Sequence, residues 1–574
     1  MPEMDGESRS SLLSLPAELL LHIFSYLEPI DLGSAAGTCR ILSAQSYDDQ
    51  LWQHLVNRNL EQPLAEPKPL KSFRDLYIAH HPHWFLPRHQ VWFADSEPSG
   101  KLIVARYHPR RGCIEAYAVV ARRGHHTIEL WEKDREVIIH SFNPDISLSL
   151  DQPVLRLNVN SPRTTNNSDN YPSNHYSKEI LMETFADAGL YGSFMLCRSL
   201  PDAAITEQTR VWPSLRFPAN ARARNDSNDG YNSTGHRPSR LSEVSQDNFR
   251  LRKWVEYTGR RSTPTMLPFY SPNGLSAALG LNNTPPAFFD SGFSSTERGG
   301  MSIRMPEDIT TYATLPREAY ISRPGKEWQG VWCGDYSGHG CEFLAIVQPD
   351  RKDERPLPEG MDWLRGWFRG NARRGSGSSE SSYVSAQEEQ EGPAMQPRFN
   401  ARAAAMRQLE GLVSLATGED RTPNRPETQL LQPHEVLGGF TEDSSPQASS
   451  SKTPEAIPQE FTDYSDAPTG RLEAIKLTGD PNVPRGEYTF IAPDIGHGGF
   501  MRVCDEEIFK GARVVRSAGH IAGRGFREDQ YTPSQLIMIS PNRLAQFWEG
   551  FGHISYYHRV DIGALLRQGM DETS

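Results

Sequence analysis

Residues 11–29, SLLSLPAELLLHIFSYLEP, contain the most informative local pattern in the sequence. Pro16 suits the first turn of a helix, because a residue at that position needs no backbone N–H donor. Apolar side chains then follow at the i, i+1, i+4, i+5 and i+8 positions of one helical face. They are Leu19, Leu20, Ile23, Phe24 and Leu27. This stretch is therefore predicted to form an amphipathic helix.

Two further short helices are predicted before residue 58. Pro29 breaks the first helix, and Asp31 is a suitable N-cap for a second helix that runs through Cys39. A third begins near Asp48 or Asp49 and carries apolar residues on one side: Leu51, Trp52, Leu55 and Val56. Three short helices cannot bury all these side chains among themselves. We therefore expect residues 11–58 to form a helical domain whose apolar surface is covered by a partner or by the next domain.

From residue 84 the pattern changes to short strands. Runs rich in valine, isoleucine and aromatic residues are separated by P-S-G, P-R-R-G and R-R-G-H segments, which are typical of turns. Sequential hairpins of this kind favour an antiparallel barrel or sandwich. The fold class is therefore α+β, in which a three-helix domain is followed by a barrel-like antiparallel domain.

The predicted β domain consists of two parts, residues 84–350 and 471–566. Residues 351–470 between them are rich in serine, glycine, proline and glutamate. Such a segment cannot bury enough apolar area to offset the conformational entropy lost on ordering, so we predict a disordered insertion. Closure entropy rises only logarithmically with loop length. The strands on either side of the insertion are therefore expected to pair in one sheet.

Composition excludes several classes of function. The 574 residues carry a formal net charge of −12, and 37% are hydrophobic. This balance argues against a nucleic-acid partner or an anionic membrane partner, and no apolar run is long enough to span a membrane. The six cysteines are scattered without a C-x-x-C pair, which favours free thiols in a reducing compartment, the cytoplasm, the nucleus or both. No metal or other cofactor is expected, and the histidines at 80, 81 and 83 are interpreted as surface residues because they lack ligand spacing.

The three-helix segment resembles an F-box. The match runs from Leu15-Pro16 through Leu27 and Pro29 to Cys39-Arg40 and Leu51-Trp52. The resemblance implies binding to the Skp1 adaptor and, through Skp1, to cullin-1 and a RING protein. The implied adaptor contacts are Leu15, Pro16, Leu19, Leu20, Ile23, Phe24 and Leu27. The sequence departs from many family members at Ile41-Leu42, where those members have a tryptophan.

The β region is similar to the substrate-binding domain of the F-box only protein 31 family. The similarity rests chiefly on GDYSGHGCE (334–342), KLTGDPNVPRG (476–486) and IAGRGF (521–526). It implies a barrel that binds a degron or C-terminal tail of a target protein, cyclins among them. The implied substrate-binding residues are Tyr336, His339, Asp480, Asn482 and Phe526.

Two of these residues allow alternative interpretations. Asp480 precedes Pro481, which holds it away from helical conformations, so its carboxylate can accept a hydrogen bond from a peptide N–H or a terminal amide. The same carboxylate can instead cap its own turn. His339 lies between two glycines and is either a ligand contact or a solvated turn residue.

A catalytic function is not favoured by the sequence. Asp335, Ser337 and His339 alternate along one turn and cannot readily form a nucleophile–base–acid chain. The prediction is a non-catalytic substrate receptor of an SCF ubiquitin ligase. The alternative is an F-box–Skp1 assembly that acts as a scaffold or ligand-binding protein without cullin.

Overall fold

A computed structural model describes the chain over several ranges. They are residues 12–94, 96, 100–159, 175–185, 190–199, 237–258, 302–304, 308–335, 340–361, 363 and 468–570. The predicted binding residues Tyr336 and His339, together with Ser337, lie outside these ranges, as does most of the predicted insertion. None of the helices within the described ranges is both long and apolar enough to cross a membrane.

Helices dominate the first part of the chain. They are α1 (Ala17–Phe24), α2 (Pro29–Ala36), α3 (Arg40–Ser46), α4 (Asp49–Asn57), α5 (Phe73–His80) and α6 (Phe85–His89). Two later helices are α7 (Arg317–Tyr320) and α8 (Ile562–Arg567). Single 3-10 turns occupy Leu12–Ser14, His175–Ser177, Leu241–Glu243 and Glu507–Phe509.

The N-terminal segment contains four α-helices where the sequence predicts three. Helix α4 starts at Asp49, in agreement with the predicted start near Asp48 or Asp49, and Asp48 caps it through a 2.9 Å hydrogen bond from the Gln50 N–H. Helix α2 begins at Pro29, so Asp31 lies inside its first turn and is not the cap. Helix α3 has no side-chain cap and a weak apolar pattern. It is instead held by tertiary contacts, because Leu42 packs on the helical core, and this was not visible from local sequence.

Nine strands form the first sheet. They are β1 (Val91–Ala94), β2 (Leu102–His108), β3 (Cys113–Leu130), β4 (Ile138–Asn158), β5 (Ile180–Phe185), β6 (Leu190–Arg198), β7 (Val244–Thr258), β8 (Ser302–Arg304) and β9 (Asp308–Thr314). Antiparallel pairing gives the order β4-β3-β2-β1-β9-β7-β6-β5, and β8 pairs with the far end of β7. The predicted R-R-G-H turn is a bulge inside β3, at Gly124 (φ 60°), so two predicted strands are one long strand.

Nine more strands follow in the second half of the chain. They are β10 (Gly330–Asp335), β11 (Cys341–Val347), β12 (Leu472–Lys476), β13 (Tyr488–Ala492), β14 (Phe500–Val503), β15 (Arg513–Gly523), β16 (Arg527–Ser540), β17 (Arg543–Trp548) and β18 (His553–Arg559). All of them except β14 form a closed antiparallel barrel of eight strands, in the order β10-β11-β12-β13-β15-β16-β17-β18-β10. Pairing of β11 with β12 joins the strands on either side of the predicted insertion, as the sequence predicts.

Three apolar layers connect these elements. The first joins the helices to one face of the first sheet and includes Phe24, Trp52 and Trp92. The second lies between the other face of that sheet and the outside of the barrel, where Val91 and Val331 both contribute. The third fills the barrel interior and includes Trp332, Phe490 and Tyr557. Neighbouring residues such as Val331 and Trp332 serve different layers, because successive strand side chains point to opposite faces.

The predicted insertion begins with a packed segment. Met361 is buried against Ile475 and Ile491 on the outside of the barrel, and Leu357 and Trp363 pack beside them. The predicted start of disorder at residue 351 is therefore too early by at least ten residues, since these apolar side chains sit inside a proline-rich and charged stretch. The remainder, up to residue 467, lies outside the described ranges.

Deleting residues 372–466 should leave the barrel folded. Val347 of β11 is already paired with Glu473 of β12, and a shorter connection lowers the entropy cost of closing the loop. We expect a melting temperature within about 5 °C of the full chain by circular dichroism. Aggregation on size-exclusion chromatography, or loss of the cooperative transition, would contradict the two-part barrel.

Candidate functional site

Helix α1 presents apolar side chains in two directions. Leu20 and Phe24 are 2% and 3% exposed, and Phe24 belongs to the helical core. Leu19 and Ile23 are 50% and 40% exposed. Two of the seven predicted adaptor contacts therefore pack within the chain itself, while two others, one turn apart, face solvent. The remaining three are divided: Pro16 is exposed, and Leu15 and Leu27 are half-buried.

Further large apolar side chains near α1 are exposed. Together with Leu19 and Ile23 they form what we call the exposed apolar set: Leu12, Leu13, Leu19, Ile23, Tyr26, Ile30 and Ile41. Sequence reasoning missed five of the seven. Ile30 lies in α2, beyond the break at Pro29, so no helical spacing relates it to Ile23 and no sequence pattern singled it out. Clustered exposed apolar residues of this kind mark interaction surfaces.

One end of the barrel collects the other predicted binding residues. Consecutive ring strands run antiparallel, so the connections β10–β11, β12–β13, β15–β16 and β17–β18 all lie at the same end. Asp480, Asn482 and Phe526 belong to two of these connections. Residues 336–339, which contain Tyr336 and His339, connect β10 to β11 but lie outside the described ranges.

The two described turns at this end are joined to each other. The Gly525 N–H donates a 2.8 Å hydrogen bond to the Pro481 carbonyl. Phe526 has a positive φ of 57° and is buried, with its ring edge-on to the His520 ring at 5.8 Å. Asn482 remains half-exposed. The structure thus brings Asp480, Asn482 and Phe526 into one linked pair of turns.

Asp480 caps its own turn. Its Oδ1 accepts hydrogen bonds from the backbone N–H groups of Asn482 at 2.5 Å and Val483 at 2.7 Å. Its Oδ2 forms an ion pair with Lys476, and the residue is buried. This is the alternative interpretation of Asp480 stated above. Its role in substrate binding stays a prediction, and the structure assigns it the shaping of the turn that carries Asn482.

A buried charged cluster supports this end of the barrel. The Lys476 ammonium lies 2.7 Å from Glu342 Oε2 and also contacts Asp480, and all three residues are buried. Burial alone would lower the pKa of Lys476, but the two carboxylates raise it. Burial raises the pKa of Glu342 to about 8, against the opposing effect of Lys476. One cation thus faces two carboxyl groups, and protonation of Glu342 leaves a cluster without net charge.

The root of the β10–β11 connection is fixed by a second ion pair. Arg123 of β3 contacts Asp335, the last residue of β10, with Nε 2.7 Å from Oδ2. Asp335 is therefore engaged by an arginine of the first sheet. Across the connection, the Phe343 N–H donates to Thr478 Oγ1 at 2.8 Å.

His80 does not lie on the surface as the sequence predicts. It is buried at the end of α5, with its ring edge-on to the Trp84 ring at 5.3 Å, and burial lowers its pKa to about 4. The prediction failed because α5 turns this residue toward the helical core. Within the described ranges, no three histidine, cysteine, aspartate or glutamate residues are grouped as metal ligands.

Comparison with known protein families agrees with the helical geometry. Residues 12–58 match the model of the F-box-like domain, which spans α1 to α4. The chain therefore carries an F-box-like domain, which supports the class of F-box proteins.

A second family model matches the barrel. Residues 312–564 match the model of the Cyclin D1 binding domain, and this segment contains the whole eight-strand barrel. A segment of 83 residues is also 35% identical to the protein EXECUTER 2, chloroplastic, of Arabidopsis thaliana. That segment covers 14% of this chain and 12% of the relative's length, so it indicates a local similarity only.

The buried cluster predicts a specific pH dependence. Glu342 has a folded-state pKa of about 8, above its ordinary value, so its protonated form is favoured by folding. The stability that follows is present at low pH and is lost as pH rises toward 8. Glu342→Gln mimics the protonated form and should gain stability relative to wild type as pH rises from about 5 to 8.

Urea unfolding of the two proteins at several pH values measures this difference. A difference in unfolding free energy that stays constant with pH would contradict a protonated Glu342.

Lys476→Met should destabilise the barrel by about 3 kcal/mol at neutral pH in the same urea unfolding experiment, because Asp480 then loses its buried counter-charge.

Proposed function

We propose that this chain is the substrate-recognition subunit of an SCF ubiquitin ligase. In this proposal the F-box-like domain binds Skp1 and, through it, cullin-1 and a RING protein. The barrel holds a target protein for ubiquitination and proteasomal degradation. The observation that carries the proposal is the seven-residue exposed apolar set on an F-box-like domain whose other large apolar side chains, apart from Tyr47, are buried or half-buried.

The adaptor side of the proposal rests on the two directions of α1. Leu19 and Ile23 expose apolar area that a partner can bury at roughly 25 cal/mol per Å². Leu20 and Phe24, also predicted as contacts, are already buried and would act by holding the helix in place. We therefore assign direct adaptor contact to the exposed members, including Pro16, and a supporting role to the buried ones.

The target side of the proposal rests on the barrel end. The match to the Cyclin D1 binding domain supports a cyclin-like target. We propose that this target is bound through a degron or a C-terminal tail. Asn482 is half-exposed on a turn that Asp480 and the Gly525 hydrogen bond hold in place. We place the tail along the β12–β13 and β15–β16 connections, with Tyr336 and His339 of the β10–β11 connection as further contacts.

F-box proteins are typically non-catalytic receptors, and we propose the same for this chain. Its contribution would be proximity, because a bound target is presented to a separate transfer module and the reaction becomes effectively intramolecular. We place this activity in the cytoplasm, the nucleus or both, and the six cysteines, all of them free thiols, suit such a reducing compartment.

Leu19→Ala combined with Ile23→Ala should abolish recovery of Skp1 in a pull-down. Binding should be lost because both substitutions remove apolar area that the adaptor would cover. Since both side chains are exposed in the free protein, the unfolding free energy should change by less than about 0.5 kcal/mol. Phe24→Ala should instead destabilise the protein by about 3 kcal/mol, because it opens a cavity in the helical core.

Ile128→Ala is the matched control, since Ile128 is exposed on β3, away from the helices, and this variant should recover Skp1 like wild type. Normal recovery by the double variant would refute adaptor binding through α1. Recovery of Skp1 without any cullin would favour the scaffold alternative.

Asn482→Ala should weaken binding of a C-terminal cyclin D1 peptide by about tenfold without changing the melting temperature. The expected reason is loss of a hydrogen bond to the peptide backbone. Fluorescence polarisation with a labelled peptide measures the affinity. Asn542→Ala is the control, because Asn542 is exposed on the β16–β17 turn at the opposite end of the barrel. Equal weakening by both variants would argue against a site at the predicted end.

A further inference from the structure

A groove lies between the F-box-like domain and α5, a helix outside the matched F-box segment. It encloses about 410 Å³ and is lined by α2, α4, α5, the segment between α3 and α4, His81 after α5, and Tyr176 of the 175–177 turn. Three apolar residues on its rim are substantially exposed: Ile30 at 63%, Tyr47 at 51% and Ile78 at 39%. Its volume falls in the range of binding clefts, and helices supply most of its lining, a geometry that accepts a partner helix.

The floor of the groove is aromatic and rigid. The Trp52 indole N–H donates a 2.8 Å hydrogen bond to the Ser46 carbonyl, which fixes the ring. Tyr77 packs against Trp52 with a ring separation of 5.4 Å, and both rings are buried. A groove with a fixed floor is ready for an incoming side chain without rearrangement.

Arg74 is a charged residue of the groove lining, and its position indicates which kind of ligand group the groove can bind. Its guanidinium lies 4.4 Å from the centre of the Tyr47 ring and 5.8 Å from that of Trp52. Its Nε is buried and has no hydrogen-bond partner. Within the described ranges Arg74 forms no ion pair with an acidic residue, although Arg58 nearby is paired with Glu28 at 2.8 Å. A stacked guanidinium keeps its hydrogen-bond donors available for a carboxylate.

We propose that this groove is a second part of the adaptor interface, in which Arg74 binds an acidic side chain of an apolar Skp1 helix. The inference rests on the proposed Skp1 binding. Ile30 belongs both to the exposed apolar set and to the groove rim, so the two surfaces are continuous. The positive charge of Arg74 favours a Skp1 helix that carries an acidic residue among its apolar residues. A helix seated there touches α2 and α5 at once, and α5 packs on the first sheet.

The function of this contact would be orientation. The exposed apolar set alone holds the F-box-like domain. A contact that also includes α5 connects the adaptor to a helix that packs on the first sheet. Arg74 is in this sense a specificity and positioning residue, and its loss should weaken the complex without abolishing it.

Arg74→Glu in the full-length chain tests the proposal by calorimetry with purified Skp1. We expect affinity to fall at least about tenfold, because a like charge replaces the cation in a partly buried groove. Arg74→Lys should fall between wild type and Arg74→Glu, since it keeps the charge but loses the planar stacking. Between about 50 and 500 mM NaCl, wild-type affinity should weaken more than that of Arg74→Ala.

Arg110→Glu is the matched charge control, because Arg110 is exposed on the β2–β3 turn and should leave the affinity unchanged. Melting temperatures of all variants identify any that fail to fold, and Arg74→Lys with the salt series then carries the test. Wild-type affinity in Arg74→Glu, together with lost binding in the Leu19→Ala and Ile23→Ala variant, overturns the groove contact alone. No binding of Skp1 by the wild-type chain overturns the proposed function itself.

Discussion

Closure of the barrel between β10 and β18 is the constraint on which the functional geometry depends. Trp332 pairs with Arg559 across this seam, and the Arg559 guanidinium lies 5.0 Å from the centre of the Trp332 ring while donating to the Gln329 carbonyl at 3.0 Å. A closed ring has no free edge and fixes the tilt and order of its strands. Four connections therefore meet at one end, whatever the length of the segment between β11 and β12.

The same barrel is connected to the N-terminal helices through its outer face. Val331 points into the layer shared with the first sheet, and Val91 meets that layer from the other side. The next residue of β1, Trp92, points into the helical core that includes Phe24. Apolar contacts thus run from α1 through the first sheet to the barrel. Because protein interiors are close-packed, such layers hold the elements on their two sides in fixed relative positions.

Local sequence was sufficient for features governed by local chemistry. The end of the first helix before Pro29 and the start of α4 near Asp48 follow from backbone and side-chain preferences of single residues, whereas the predicted N-cap Asp31 was wrong. The barrel-like antiparallel domain was predicted and is confirmed, but the pair of strands that closes it could not be predicted, because the pairing of Trp332 with Arg559 joins residues separated by the whole insertion. The candidate site at the barrel end was predicted only in part from the sequence. The turn at Asp480 was recognisable, but its cation was not singled out, although a lysine within the apolar run around Ile475 is an unusual signal.

The division of α1 explains why sequence could not separate buried from exposed contacts. Successive helical residues lie about 100° apart around the axis, so Leu19 with Ile23 and Leu20 with Phe24 form two neighbouring apolar stripes. Hydrophobic periodicity fits both stripes equally well. Only the first sheet decides between them, because it supports the core into which Phe24 packs. Once the stripe of Leu20 and Phe24 is packed in this way, the stripe of Leu19 and Ile23 is held in a fixed position on the surface. A partner that covers Leu19 and Ile23 therefore gains apolar burial with little further loss of conformational entropy.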